Sequence, residues 1–243
     1  ERFGADIRYG EVTAITTNTQ DHTLHVETTE DTIYKAKAVL IATGSDYRKI
    51  GVPGEQEYYG RGVHYCATCD GAFYRDKKLV VVGGGNSAVQ ESLFLTRFSS
   101  DIQLLVRSTV KASEVLQHEL AKAVEAGKIT IHLNTTTEEI VGEDKKVTHV
   151  HTQKDGKEIT IKTDGVFIFV GLIPNTQFLK NSDVLLDETG FILTDKNLQT
   201  NMPGVFSSGD VRSGATMQIA SAVGEGATAA LKVREFLEDP SRA

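Results

Sequence analysis

Two segments of the chain alternate hydrophobic and polar positions in the same order. Residues 5–44 and residues 128–171 each contain three alternating runs, then a continuous apolar run closed by a glycine. Polar turns separate the runs, for example at residues 18–21 and 154–156. Alternation predicts strands with one buried face, and the apolar run predicts a strand buried on both faces. Because order, spacing and terminal glycine match, we interpret the segments as two copies of one unit rather than two unrelated β-meanders.

Between the copies lies the pattern of a strand, a glycine turn and a helix. The apolar run KLVVV leads into Gly83-x-Gly85-x-x-Ala88, and the helical positions that follow are rich in apolar residues, at Ala88, Val89, Leu93 and Leu95. In a dinucleotide-binding unit the first glycine permits the tight turn and the second lets the pyrophosphate approach the backbone. The small third residue lets the helix pack closely on the strand. The alternative is an ordinary tight turn.

The residues after this turn favour the nucleotide-binding interpretation. A second strand, DIQLLVRS, is followed by a helix predicted over residues 113–126, with Gly127 as its stop. One face of that helix is apolar, at Leu116, Leu120, Ala123 and Val124. Together these elements have the order of a βαβ nucleotide-binding unit.

The repeat also makes a prediction about the first copy. Gly83 precedes Gly171, the glycine that closes the second copy, by 88 residues. The same spacing would place a first glycine motif about 45 residues before Glu1. We therefore expect a protein with two nucleotide sites, whose first nucleotide-binding βαβ unit is missing from this sequence.

Composition and charge narrow the classes of function. Of 243 residues, 40% are hydrophobic and 24% are charged, which is the balance of a soluble globular protein of one or two domains. A net charge of -7 without any run of Lys or Arg gives no footprint for nucleic acid or an anionic membrane. No apolar stretch is long enough to span a bilayer, and the first residues lack the apolar core of a signal peptide. The resulting expectation is a cytoplasmic protein.

The only two cysteines stand in the stretch HYCATCD, residues 64–70. Cytoplasmic thiols are kept reduced, so an isolated pair indicates redox catalysis or metal binding rather than a structural disulfide. Zinc is disfavoured, because adjacent ligands in one short segment cannot easily surround a tetrahedral ion and no second Cys or His pair closes the site. A Cys-x-x-Cys at a helix start favours redox chemistry, because the helix dipole lowers the thiol pKa. His64 is then interpreted as a surface or packing residue.

Asp70 directly follows the cysteine pair and has two interpretations. Its carboxyl group can exchange protons with the emerging thiolate as a general acid. Alternatively, it is a helix-capping carboxylate.

Three stretches together resemble the low-molecular-weight thioredoxin reductases, a branch of the pyridine-nucleotide disulfide oxidoreductases. They are CATCDGAFYRDKKLVVVGGGNSAVQESLFLTRF, VLIATGS and PGVFSSGDVRSGATMQIASAVGEGATAAL, and the resemblance runs essentially end to end. Its most specific element is Cys66-Ala-Thr-Cys69-Asp70, a short distance before the nucleotide glycines. The resemblance implies an α/β protein with two Rossmann-like, three-layer domains that bind FAD and NAD(P) and carry β-meanders, the first domain truncated at its N-terminus.

The resemblance also implies how the domains divide the sequence. A FAD-binding domain is split between residues 1–46 and 173–243, and an inserted NADPH-binding domain at residues 47–172 carries the redox pair. Linkers near Ser45 and residues 172–174 would act as hinges, because one cysteine pair must meet both the flavin and a bulky partner. Within the pair, the resemblance places Cys69 nearer the flavin and has Cys66 attack the disulfide of the partner.

The end of the second strand bears on the choice of nicotinamide cofactor. An acidic residue there would bind the ribose of NAD, but this chain has Val106-Arg107-Ser108, with Lys111 close behind. Two cations could bind a 2′-phosphate, which favours NADPH, although the family usually has a second arginine where Ser108 stands. The alternative is that the two cations only solvate a loop. The predicted nicotinamide site comprises Gly83, Gly85, Asn86, Ser87, Ala88, Arg107 and Lys111.

For the flavin, the resemblance assigns Asp210 a hydrogen bond to the ribityl chain. It aims a helix that begins near Gln218 at the isoalloxazine ring, where the positive end of the dipole stabilises reduced flavin. Small residues predict that this helix is thin and packs closely, at Ala220, Ser221, Ala222, Gly224, Gly226 and Ala227. The usual Arg-Gln-Ala of the family reads Met217-Gln218-Ile219 here. The predicted flavin site comprises Ala42, Thr43, Gly44, Gly209, Asp210, Gln218 and Ile219.

The function implied is that of an NADPH-dependent thioredoxin-disulfide reductase containing FAD. Hydride passes from NADPH to FAD, electrons pass to the Cys66–Cys69 disulfide, and the dithiol reduces thioredoxin or a thioredoxin-like protein. A homodimer is implied, with no metal and no nucleic-acid or membrane partner. Two rivals are the flavoprotein component of an alkyl hydroperoxide reductase and a nicotinamide-nucleotide-binding fragment without catalysis, which a colourless preparation would favour.

Overall fold

The structure is a computed structural model that describes residues 2–18 and 23–239. The chain divides into two compact units. One, which we call the split unit, comprises Glu1–Asp46 and Ile173–Ala243; the other, the inserted unit, comprises Tyr47–Leu172.

The strands and helices follow one another in mixed order along the chain. The strands are β1 (Val12–Thr17), β2 (Leu24–Thr28), β3 (Ile33–Ala36), β4 (Val39–Ile41), β5 (Ser45–Tyr47), β6 (Val63–His64), β7 (Lys78–Val82), β8 (Asp101–Leu105), β9 (Ile129–His132), β10 (Thr135–Glu143), β11 (Lys146–Lys154), β12 (Lys157–Lys162), β13 (Gly165–Ile168), β14 (Leu172–Pro174) and β15 (Val205–Ser207). The α-helices are α1 (Ala67–Asp70), α2 (Asn86–Leu95), α3 (Glu114–Glu125) and α4 (Ile219–Glu238), and 3-10 turns lie at Gly71–Tyr74, Gln177–Leu179 and Gly209–Val211. No helix of the described residues is long and apolar enough to cross a membrane.

A parallel sheet in the order β6-β13-β7-β8-β9 forms the centre of the inserted unit. Alternate side chains of β7 face opposite sides of this sheet. Leu79 and Val81 pack with buried residues of α2 and α3, whereas Val80 and Val82 pack with the meander β10-β11-β12. The unit is therefore three layers, with helices, parallel sheet and antiparallel sheet stacked in turn.

Both predicted copies of the repeat form a three-stranded antiparallel meander followed by a strand of a parallel sheet. The first copy has β1-β2-β3 and then β4, and the second has β10-β11-β12 and then β13. The turn at residues 154–156 is confirmed, with Asp155 and Gly156 at φ 50° and 79°. Of the predicted turn at residues 18–21, only Asn18 lies within the described residues. Residues 5–9 correspond to β9 of the second copy but form no strand. In the second copy β9 pairs with β8, and the described part of the split unit has no counterpart of β8.

The two predicted long helices form, with differences in packing. α3 begins directly after Ser113 and is followed by Gly127 at φ 70°, as predicted, and Leu120 is buried. Val124 was expected on the buried face but remains 37% exposed. α4 begins after Gln218, as predicted.

The expected close packing along α4 is not present among the described residues. A Cβ added at Gly224 or Gly226 would meet nothing within 4 Å in that part of the chain. Ala229 is the one residue of the helix that is fully buried in the described structure. The described core of the split unit instead lies between its meander and the parallel pair β4-β15.

Candidate functional site

The two cysteines form a disulfide in a single turn of helix. Cys66 is the residue that caps α1, and the Cα atoms of Cys66 and Cys69 are 5.3 Å apart. The backbone N–H of Cys69 donates to the Cys66 sulfur over 3.1 Å. Because α1 is one turn long, this single N–H, rather than a long helix dipole, is the positive group nearest the sulfur. Cys69 is exposed and Cys66 half-buried, so a partner can reach the disulfide from solvent.

The structure bears on the capping interpretation of Asp70. The cap of α1 is Cys66, and Asp70 makes no side-chain capping hydrogen bond to the following 3-10 turn, so the capping interpretation is wrong. The Asp70 carboxylate instead lies 3.1 Å from Nδ1 of His64.

His64 is a packing residue, and the surface alternative is wrong. It is 7% exposed, its Nε2 lies 2.7 Å from the hydroxyl of Tyr74, and its ring stacks on Phe167. Burial lowers the pKa of His64, an effect that the neighbouring Asp70 partly offsets. Burial also raises the pKa of Tyr74 to about 12, so its hydroxyl keeps its proton at neutral pH.

The glycine turn after β7 is tightly built on one side and open on the other. A Cβ on Gly83 would lie 2.3 Å from the carbonyl oxygen of Phe169, whereas a Cβ on Gly85 would meet nothing within 4 Å in the described structure. Gly85 precedes α2 and provides no side-chain cap, which leaves the first N–H groups of the helix for a ligand. Ala88 is fully buried where the helix meets the strand.

Arg107 and Lys111, which follow β8 and which we call the basic tip, lie beside this turn. β7 and β8 are parallel and in register, so both strands end at the same edge of the sheet. The backbone N–H of Lys111 donates to the carbonyl of Gly84 over 2.7 Å. Arg107 and Lys111 are exposed, and neither side chain has a partner among the described residues. Asn86 is engaged differently, because its side chain accepts a hydrogen bond from the backbone of Ser113.

In the split unit, the predicted flavin residues lie at the ends of two paired strands. β4 and β15 are parallel, with Ile41 opposite Ser207, so residues 42–44 and 209–210 follow neighbouring strand ends. Asn175 joins this edge, because its backbone oxygen accepts from the Thr43 hydroxyl over 2.7 Å. Asp210 has no hydrogen-bond or ion-pair partner in the described part of the chain, and Gln218 provides no side-chain cap to α4. Ile219 is 85% exposed.

A half-buried ion pair joins the segment after β15 to α4. Arg212 donates two hydrogen bonds to the carboxylate of Glu225. The same carboxylate accepts from the backbone N–H of Gly209 over 2.8 Å. The hydrogen bonds from Arg212 lower the pKa of Glu225, so this tie holds with the carboxylate ionised.

Comparison with known proteins shows which family this chain resembles. The family model for pyridine nucleotide-disulphide oxidoreductase matches residues 2–226. The chain is 41% identical over 242 residues to thioredoxin reductase of Listeria innocua, an alignment that covers 98% of this chain and 74% of that relative. Thioredoxin reductase of Bacillus subtilis is 41% identical over 243 residues, with the same coverage.

The chain belongs to the thioredoxin reductases of this family. Among solved structures, thioredoxin reductase of Streptococcus pyogenes is 42% identical with a TM-score of 0.87, covering 98% of this chain and 76% of that one. Thioredoxin reductase from Giardia duodenalis is 32% identical with a TM-score of 0.89. The predicted fold class, Rossmann-like FAD- and NAD(P)-binding architecture with β-meanders, is confirmed.

Two groups of polar residues were not predicted from the sequence. Tyr74 was not singled out, and its contact with His64 depends on how the 3-10 turn folds back over the strand. Arg212 and Glu225 are separated by a turn and part of a helix, so no local spacing rule pairs them. The sequence did contain one signal for this pair. Glu225 is a charged residue among the small residues of α4, and a charge that is removed from solvent requires a partner.

Proposed function

We propose that this chain is an NADPH-dependent thioredoxin-disulfide reductase in which the Cys66–Cys69 disulfide passes electrons to thioredoxin. The observation that carries the proposal is an accessible disulfide next to an acid, in the same unit as a dinucleotide-binding turn. A structural staple would be expected to be buried, whereas Cys69 is exposed.

The nicotinamide site fits the residues present in the inserted unit. The space beside Gly85 and the uncapped start of α2 can accept a pyrophosphate, because nothing described occupies either position. Asn86, Ser87 and the buried Ala88 form the first turn of that helix. Arg107 and Lys111 can bind a 2′-phosphate at the neighbouring strand end, which favours NADPH over NADH.

The flavin site also fits the residues at the ends of β4 and β15. Ligands of open α/β sheets bind outside the carboxyl ends of the strands, where Ala42, Thr43 and Gly44 lie beside Gly209 and Asp210. The carboxylate of Asp210 can accept hydrogen bonds from sugar or ribityl hydroxyls. Gln218 and Ile219 begin α4, whose uncapped start favours negative charge. When bound, FAD supplies two-electron transfer between a nicotinamide and a disulfide.

The cysteines complete the reaction by thiol–disulfide exchange. With both cysteines reduced, the Cys66 thiolate attacks a disulfide sulfur of thioredoxin, and one sulfur of that disulfide leaves as a thiolate. Cys69 then attacks Cys66 in the mixed disulfide, which restores the Cys66–Cys69 bond and releases dithiol thioredoxin. The N–H that Cys69 directs at the Cys66 sulfur supports Cys66 as the attacking residue, because it stabilises a thiolate there.

Asp70 acts in this scheme as the acid that protonates the emerging thiolate. It directly follows Cys69 in the chain, its side chain is partly exposed, and its backbone N–H donates to the carbonyl of Cys66 over 3.1 Å. A positioned acid of this kind contributes about 10²–10⁴-fold to a rate.

We also infer a cytoplasmic location and a homodimer. The cytoplasm is the compartment whose thiols are kept reduced by such enzymes. Light scattering on the purified protein tests the dimer directly.

The test of the proposed function is anaerobic NADPH oxidation by the purified protein with oxidised thioredoxin, with glutathione disulfide as the control substrate. We expect a yellow protein with flavin absorbance, whose NADPH consumption requires thioredoxin. A colourless protein, or NADPH oxidation that does not depend on thioredoxin, would contradict the proposal.

A further inference from the structure

His64 links the acid beside the cysteines to the interior of the inserted unit. Its ring uses both nitrogens: Nδ1 faces the Asp70 carboxylate at 3.1 Å and Nε2 faces the Tyr74 hydroxyl at 2.7 Å. Both nitrogens of this buried ring therefore have a polar partner. The three side chains form one chain of hydrogen bonds, Tyr74–His64–Asp70.

Packing fixes this chain in place from two sides. The Phe167 ring of β13 lies 5.2 Å from the His64 ring and 5.5 Å from the Tyr74 ring. Gly165 leaves the space for Tyr74, since a Cβ there would lie 2.4 Å from the tyrosine ring. The rings therefore have little freedom to rotate, and Asp70 is held by a rigid group rather than by solvent.

The chain remains hydrogen-bonded in two arrangements of its protons. In the first, Tyr74 donates to Nε2 of a neutral His64, whose Nδ1–H donates to the Asp70 carboxylate. In the second, a protonated Asp70 donates to Nδ1, and Nε2–H donates to the Tyr74 oxygen. Asp70 can therefore gain or lose a proton without leaving a buried polar atom unpaired.

We propose that His64 is a positioning residue for Asp70, which fixes the carboxyl group of the residue directly after Cys69 and lets it alternate between acid and base while the disulfide is reduced. The inference rests on the proposed function of Asp70 as the acid. Reduction of the disulfide breaks the S–S bond and consumes two electrons and two protons. NADPH supplies a hydride, which is two electrons and one proton, and the second proton comes from solvent and reaches the sulfur through Asp70.

The charged groups around the chain are few in the described structure. Asp70 faces His64 from α1 and Tyr74 faces it from the 3-10 turn, while β13 contributes the apolar Phe167. Asp164, just before β13, acts on Tyr74, and its own carboxylate lies 3.9 Å from Lys77. A pH effect that acts through His64 should disappear when Asp70 is replaced, whereas a pH effect due to Asp164 should remain.

The experiment compares His64→Ser, which removes both contacts, with His64→Asn, whose amide can still donate to Asp70. In the flavin-loaded protein, the rate at which NADPH reduces the disulfide is followed by thiol titration from about pH 5.5 to about pH 9. We expect His64→Ser to lose on the order of tenfold at its best pH, and its profile to move to higher pH, because the carboxylate form loses a donor. His64→Asn should retain the wild-type rate within about threefold and the wild-type profile.

Two controls separate positioning from a general loss of structure. His132→Asn changes a second hydrogen-bonded histidine, which is half-buried on β9 at the opposite edge of the sheet from β6, and should leave the profile unchanged. In an Asp70→Asn background, His64→Ser should have no further effect beyond about twofold. If His64→Ser does not fold, Tyr74→Phe, which removes only the hydroxyl that fixes Nε2, carries the test through a changed profile.

The proposal is overturned if His64→Ser retains the wild-type profile, or if its loss is equally large in the Asp70→Asn background. Reduction of the disulfide by dithiothreitol is measured in parallel with the same variants. That reaction needs neither NADPH nor thioredoxin, so a protein that fails as a thioredoxin reductase but shows the Asp70-dependent shift contradicts only the proposed function.

Discussion

The two glycine turns of this molecule end their strands in different surroundings. The turn at Gly83 follows a strand of a five-stranded sheet, and an added Cβ there would lie 2.3 Å from a carbonyl oxygen. The turn at Gly209 follows a strand paired with one other, and an added Cβ would lie at an ordinary 3.5 Å from Ala222. The glycine turn is thus closely packed in the inserted unit and in ordinary van der Waals contact in the described part of the split unit.

The helices after the two turns differ in the same way. α2 buries Ala88, Val89 and Leu95 against the sheet. α4 is twice as long yet leaves Ile219 at 85% and Val223 at 67% exposure in the described structure. The comparison teaches that two glycine turns after parallel strands can differ in how closely the neighbouring residues pack on them.

The largest expected effect within this comparison is that of Gly83→Ala. The new Cβ would collide with the backbone of Phe169, and φ at Gly83 is 143°, a conformation that strains any other residue. Overpacking and backbone strain together should cost on the order of 3 kcal/mol or more in the free energy of unfolding, measured by urea denaturation. Gly85→Ala is the matched control, because its Cβ meets open space: it should retain stability but weaken NADPH binding. Equal stability of both variants would contradict the packing difference.

An intermediate effect is expected at the basic tip of the inserted unit. Arg107→Ala should raise the Michaelis constant for NADPH on the order of tenfold and leave that for NADH nearly unchanged, since only NADPH carries the 2′-phosphate. The lost charge-assisted hydrogen bonds correspond to about 1.5–3 kcal/mol. Ser108→Arg should have the opposite effect and sharpen the preference for NADPH.

The control for this variant is Arg97→Ala, which removes another exposed arginine, located just past the far end of α2. It should affect neither cofactor. An equal effect of Arg107→Ala on NADH and NADPH would show that the residue supports the fold or the shared pyrophosphate.

The smallest expected effect is that of Gly224→Ala in the middle of α4. The added Cβ meets nothing within 4 Å in the described structure, so alanine should stabilise the helix by about 0.5–1 kcal/mol. Urea unfolding of the 243-residue chain measures this change. A loss of stability instead would show that this face of the helix is covered in the folded protein.

Much of this architecture could be predicted, because it depends on local periodicity. The glycine turn, the helix over residues 114–125 and the two meanders all follow from patterns within about 15 residues of one another. What failed depended on distant neighbours. Val124 is exposed, and the small residues of α4 face no described partner, since periodicity gives the apolar face of a helix but not what covers it.

The cysteine site was predicted in its residues but not in its supporting contacts. Cys66, Cys69 and Asp70 are adjacent in sequence, so a motif could identify them. The role of His64 could not be predicted, because its partners approach from α1 and from the 3-10 turn beyond it, and their orientation is set by packing against β13. A one-residue motif cannot report which nitrogen of a buried histidine is satisfied by which neighbour.

The central claim is that electrons leave this protein through the Cys66–Cys69 disulfide. The most direct measurement is steady-state reduction of thioredoxin by NADPH in the flavin-loaded Cys66→Ser and Cys69→Ser variants, beside reduction of a small dye that accepts electrons from flavin. No other cysteine in the chain could substitute. The account predicts that both variants lose thioredoxin reduction and keep dye reduction. Retained thioredoxin reduction in both variants would contradict it.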